Sequence, residues 1–205
     1  TVTAAAAATV LAYFYPEKGD SILKLARMAA KSRVDAGVQF PSDLDAGWKL
    51  GEAVARQIIE KAKRDGSATA WDGKMNQDPK KWTGTYPLGI TLTSFKPMVL
   101  LSPNQFRPAA PPDFKNEMEE MKNFKQTSKT AYLAHYWANT GDIWTELAGQ
   151  KLFEYRMMDD APAVARVYAV LSAGYHDAAI AIMDAKYAYW GIRPAQYDTT
   201  FKPLI

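Results

Sequence analysis

The stretch APAVARVYAVLSAGYHDAAIAIMDAKYAYWGIRP, residues 161–194, decides how this chain reads. Pro162 suits the first turn of a helix, where its missing N–H has no partner to lose. Val164, Val167, Tyr168, Leu171, Tyr175, Ala178, Ala179 and Ile182 then recur at helical spacing. That spacing predicts one long helix with those residues toward a core. Lys186 falls near its end. Pro194 disfavours helical backbone at the residue before it, so Arg193 is expected to be extended. A lysine point charge and a guanidinium fork therefore leave the same helix terminus, and both suit a tetrahedral oxyanion. The competing role for the two cations is structural, in ion pairs with Asp184 or Asp198.

Working outward, residues 3–14 are apolar nearly all round and predict a buried helix, ended by Pro16 and Gly19. Residues 21–36 carry Ile22, Leu23, Leu25, Ala26, Ala29 and Ala30 on one side of a second helix. Ser42 is a fair N-cap for a third, in which Leu44, Trp48, Gly51, Ala55, Ile58 and Ala62 recur before Asp65-Gly66-Ser67 stops it. From Ser67 to Pro112 no period holds, and seven prolines fall there with Trp71, Trp82 and Tyr86. A disordered linker would hold fewer aromatics, so a long ordered Pro/Trp-rich loop wrapped over the helices is expected. Gly89 to Leu101 is its sole strand candidate. Helical pattern resumes over 115–139 and 142–158. The fold class read from these patterns is all-α, a helical bundle.

Composition narrows function less than fold. The 205 residues carry a formal net charge of +3, too small to argue for a nucleic-acid partner. The run Lys61, Lys63, Arg64 sits where cations complement a helix C-terminus. There is no cysteine, which removes disulfides, thiolate metal sites and cysteine nucleophiles. The two histidines, His135 and His176, cannot make a three-histidine metal site within one chain. The apolar run Ala4–Tyr15 lacks a basic leader and is too short for a membrane span, so none is expected. A start at Thr1 raises the expectation that a segment lies upstream. His176 neighbours Asp177, inviting a base-and-orienter reading, but adjacent helical residues point apart, which favours a core histidine. His135, between Tyr132 and Tyr136 in sequence, is expected to pack in the same way. The eight methionines and the aromatic stripe read as core material.

Lys186, Arg193 and Pro194 meet the pattern Lys-x6-Arg-Pro in full. In this respect the chain resembles the superfamily of vanadium-dependent haloperoxidases, bacterial acid phosphatases and type 2 phosphatidic acid phosphatases. The flanking Tyr175-His176-Asp177-Ala178-Ala179-Ile180-Ala181 and Asp184-Ala185-Lys186-Tyr187 look like its bacterial haloperoxidase-like branch. The superfamily's third motif, Ser-Arg-x5-His-x3-Asp, is met in part by Ser32, Arg33 and Asp43. Gln39 stands where that motif has the histidine that attacks phosphorus or binds vanadium. An amide nitrogen has no basic lone pair for that role. Pro-Ser-Gly-His, the second motif, is absent.

The resemblance implies a helical bundle of the haloperoxidase/acid phosphatase type. A degenerate third motif before an intact first one is what a duplicated parent would give. Residues 1–66 would then end a degenerate first repeat, 67–114 would be the connecting loop, and 115–205 would begin a second repeat, in one packed domain. The missing histidines would lie beyond Ile205 or come from a second chain or copy. Lys186 and Arg193 would bind phosphate or vanadate, with Arg33 a third candidate that competes with an ion pair to Asp35 or Asp43. The implied ligand is phosphate, a small phosphoester, or vanadate as cofactor. The implied activity is that of a phosphoric monoester hydrolase or a vanadium haloperoxidase, inactive as this chain alone. Periplasmic or secreted placement follows by resemblance only. The alternative is a non-catalytic helical scaffold or partner-binding module derived from the same fold.

Overall fold

The structure, a computed structural model, describes residues 1–139 and 143–205. The described residues form helices and no strands. They divide into two compact units, Thr1–Ala68 and Thr69–Ile205.

The first unit is built from α1 (Val2–Phe14), α2 (Gly19–Asp35) and α3 (Pro41–Ala62), with a single 3-10 turn at Pro16–Lys18. Helix α1 presents Ala5 and Ala8, both buried, to α3, which answers with Gly47, Gly51 and Ala55. Small residues on both sides let the two backbones approach closely, and dispersion then acts over the whole seam. Trp48 fills the remaining space under Arg27, whose guanidinium carbon lies 3.5 Å from the centre of its ring. Its indole N–H donates to Glu52 Oε1 at 2.7 Å. Helix α1 is not buried all round as its composition suggests: Leu11, Tyr13 and Phe14 are exposed, because a three-helix unit covers one stripe of it. Helix α3 begins two residues earlier than a Ser42 cap implies. Pro41 opens it, and the Asp43 carboxylate accepts from the Phe40 N–H at 2.8 Å.

The second unit holds α4 (Lys115–Asn123), α5 (Ser128–Asn139), α6 (Ile143–Glu154), α7 (Ala161–Tyr189) and the single-turn α8 (Pro194–Tyr197). The continuous helix expected over 115–139 is broken between Asn123 and Ser128, where Thr127 and Thr130 exchange side-chain and backbone hydrogen bonds. The expected start of the next helix at residue 142 lies outside the described residues. Gly89 to Leu101 is not a strand: Gly89 takes positive φ (75°) and opens a 3-10 turn at Ile90–Ser94. Asp160 caps α7 by accepting from the Ala163 N–H at 3.1 Å. Helix α6 packs on α7. The aromatic stripe on α5 and α6 is not core: Tyr132, Tyr136, Trp137 and Trp144 are exposed, and neighbouring rings among them meet. His135 is exposed as well. Of the methionines, Met118 is buried, whereas Met28, Met98, Met121 and Met158 are exposed.

The stripe of α7 that is buried consists of Asp177, Ile180 and Tyr187. It is rotated from the apolar stripe read in the sequence, whose Tyr175 and Ile182 are exposed. What covers α7 is the long loop, and its demands are polar as well as apolar.

A Cβ at Gly51 would run into the Val2 carbonyl oxygen and approach Ala5 Cβ to 2.7 Å. Gly51→Ala is therefore expected to destabilise the first unit by about 1–3 kcal/mol, measured by denaturant unfolding. Gly174→Ala is its control, because a Cβ there meets nothing within 4 Å. Inside a helix that change should stabilise by about 0.5–1 kcal/mol. Equal responses at the two positions would contradict the close α1–α3 seam.

Candidate functional site: a cationic and aromatic cleft at the end of helix α7

Asp177 fastens the loop to the helix. It is 4 % exposed, and its carboxylate accepts the backbone N–H groups of Met98, Val99 and Leu100 at 2.7, 2.7 and 2.9 Å. Burial by itself would raise this carboxyl. The N–H groups of Leu100 and Met98, the His176 ring and the Val99 N–H outweigh it and hold the group far below the usual carboxylate range. Further ties follow the same helix toward its C-terminus. The Tyr187 hydroxyl donates to the Leu88 carbonyl at 2.5 Å, and the Trp82 N–H donates to the Trp190 carbonyl at 2.7 Å. Arg107 grips Asp184 with two bonds of 2.7 Å, and the Tyr189 hydroxyl donates to the Pro108 carbonyl at 2.6 Å. The Gln196 amide donates to the Thr83 carbonyl.

These ties set the walls of an open cleft of about 680 Å³. Lys186 and Arg193 both line it, together with Tyr187, Trp190, Trp82 and Phe114. Helix α7 ends at Trp190, whose backbone is left-handed (φ 49°), a conformation that side chains with a Cβ rarely adopt. Stacking on Trp82 (centroids 6.0 Å apart, planes at 28°) and an edge contact with Tyr187 (5.1 Å) hold it there. Arg193 is extended (φ −83°, ψ 150°), as its proline requires, and its N–H meets Gln196 Oε1 at 3.4 Å. The Lys186 ammonium lies 5.0 Å from the centre of the Tyr187 ring. Burial, and then the nearby Arg193 charge, push its pKa below the ordinary lysine value.

The carboxylates that could have neutralised this pair are engaged elsewhere. Asp184 is held by Arg107, and Asp198 by Lys122 at 2.5 Å. Among the described residues neither Lys186 nor Arg193 forms an ion pair. Two cations on one open cleft, the lysine lowered by burial and then by its arginine neighbour, favour an anion between them.

The other sequence candidates lie in the first unit. Arg33 is exposed, and its Nε donates to Ser32 Oγ at 3.3 Å. It does not pair with Asp35 or Asp43: Lys31 takes Asp35 at 2.5 Å, and Asp43 serves the start of α3. Gln39 is half-buried and accepts from the Thr1 hydroxyl at 3.2 Å. His176 is only half-buried, and it does reach its neighbour: Nδ1 lies 3.1 Å from Asp177 Oδ1. The backbone directions diverge, but the imidazole is long enough to fold back onto a carboxylate at the rim of the buried stripe. It lines a separate cavity of about 430 Å³ with Leu92, Ser172 and Tyr175. No histidine, carboxylate, serine or threonine lines the Lys186–Arg193 cleft among the described residues. Among those residues no cluster of three or more metal-ligating side chains occurs, and no helix is long and apolar enough to cross a membrane.

Comparison with known proteins returned no matching family model, no matching curated protein and no matching solved structure.

Asp177→Ala removes the shared, buried acceptor of three backbone amides. It should cost the second unit about 1.5–3 kcal/mol or more, read by denaturant unfolding. Because the folded carboxyl is the stronger acid, its contribution is complete above the unfolded value of about 3.9 and fades as pH falls below it. The wild-type advantage over the variant should therefore shrink below about pH 4. An advantage unchanged between pH 7 and pH 3 would contradict the assignment.

Proposed function

We propose that the second unit binds a phosphate-sized oxyanion between Lys186 and Arg193. The observation that carries this reading is the pair itself: two cations on one cleft, both without a carboxylate partner among the described residues, while Asp184 and Asp198 are held by Arg107 and Lys122. Lys186 would act as a point charge and Arg193 as a planar fork, together cancelling charge on the anion's oxygens. In a phosphoryl-transfer site such groups stabilise the equatorial oxygens as charge develops.

The Lys-x6-Arg-Pro resemblance extends the proposal to part of a haloperoxidase-like acid phosphatase or a vanadium-dependent haloperoxidase, with a bundle of that type. Vanadate fits in part. Lys186 and Arg193 would hold its oxygens, but no imidazole lines the cleft to bind the vanadium. Bound vanadate would supply peroxide activation, and the residues present here would supply only charge and orientation. The same gap applies to phosphatase chemistry, whose attacking histidine is replaced by Gln39. A second chain, a second copy or a further segment would have to bring it. That no histidine, carboxylate, serine or threonine lines the cleft among the described residues also favours a second reading, a non-catalytic helical module that binds an anionic ligand or partner.

Lys186→Ala should weaken inorganic phosphate binding by about 1.5–3 kcal/mol, roughly ten- to a hundred-fold, by calorimetry. In the wild type, binding should also fall as pH rises through the lowered lysine value, below the ordinary range near about 10.4. Lys186→Arg keeps its charge there and should remove that fall. Equal phosphate affinity in wild type and Lys186→Ala would refute the site.

A further inference from the structure

We infer that the cleft recognises a phosphomonoester carrying a flat aromatic group, and that Trp82, Trp190 and Tyr187 form the subsite for that group. This rests on the oxyanion reading and adds the other half of the ligand.

Size is the first argument. A cavity of about 680 Å³ is far larger than a bare anion needs and falls in the range that encloses drug-sized organic molecules. Chemistry is the second. Apart from the two cations, the walls are rings, prolines and aliphatic side chains, with Phe114 and Ile192 among them. Such walls gain by covering an apolar body and lose by holding water. A lone phosphate would leave most of that surface wet.

Connectivity is the third. The cations and the rings form one continuous surface. The Lys186 ammonium sits over the Tyr187 ring at 5.0 Å, Tyr187 meets Trp190 at 5.1 Å, and Trp190 stacks on Trp82 at 6.0 Å. An anionic group at Lys186 would therefore place a directly attached ring against these side chains. The rings are also fixed in advance. Tyr187 is anchored by its bond to Leu88, and the Trp82 backbone by its bond to Trp190. Pre-set aromatic faces lose little freedom on binding and prefer a planar partner in offset or edge contact. Trp190 keeps a left-handed backbone with its side chain on this wall, and a glycine there would offer no ring.

Binding of inorganic phosphate, methyl phosphate and phenyl phosphate to the full chain, followed by calorimetry and tryptophan fluorescence, tests this. Phenyl phosphate should bind about ten-fold more tightly than inorganic phosphate, with methyl phosphate close to the inorganic ion. Trp82→Ala should abolish that advantage, whereas Lys186→Ala should weaken all three. The ligand series on the unaltered protein decides the matter even where Trp82→Ala fails to fold. Phenyl phosphate bound no more tightly than phosphate overturns the aromatic subsite and leaves the oxyanion site standing. No binding of any of the three overturns the oxyanion site, and this inference with it.

Discussion

The carboxylate of Asp177 is the point at which the second unit becomes a structure rather than a helix beside a loop. Three consecutive amides, of Met98, Val99 and Leu100, converge on it in a buried position. Each would be costly to leave without a partner, and so would the charge. Once they meet, the long segment must run along α7 toward its C-terminus. Leu88, Trp82 and Thr83 then fall where Tyr187, Trp190 and Gln196 can bond to them. Arg107 likewise reaches Asp184. The cleft follows from this fastening, because its far wall is the loop.

Seen from the cleft, the ion pairs around it matter as much as the cations in it. Lys122 and Arg107 take the two nearby carboxylates, which leaves Lys186 and Arg193 facing open space among the described residues. In both pairs the carboxylate is the more covered partner. Their effect here is electrostatic: they keep negative side chains away from the anion position. Burial and mutual repulsion then make the Lys186 ammonium a destabilised charge that a bound oxyanion would relieve.

Much of the fold was legible in sequence, because it rests on local rules. Pro16 and Gly19, Pro162, and Pro194 mark element ends by their own backbone chemistry, and the helices begin and end close to them. The face of α7 was not legible. Periodicity assigns a core stripe by apolarity, and the real one includes Asp177, made buriable by amides far away in the chain. Gly89 to Leu101 failed for a related reason: its β-branched residues suit a strand, but no second strand is there among the described residues to pair with it. The exposed rings of α5 and α6 show that aromatic content marks a wish for burial, not its fulfilment. Of the candidate site, Lys186 and Arg193 were singled out through the Lys-x6-Arg-Pro resemblance and both line one cleft, whereas Trp82 and Phe114 were not, since only the tertiary path of the loop brings them there.

The most direct test is a map of phosphate-induced shifts in the backbone amide and indole NMR signals of the isotopically labelled chain. The account predicts that inorganic phosphate perturbs residues 186–194 and the indole signals of Trp82 and Trp190 in one saturable process, while the signals around Arg33 and Gln39 stay in place. Perturbation centred on the first unit, or none at residues 186–194 at saturating phosphate, would contradict it.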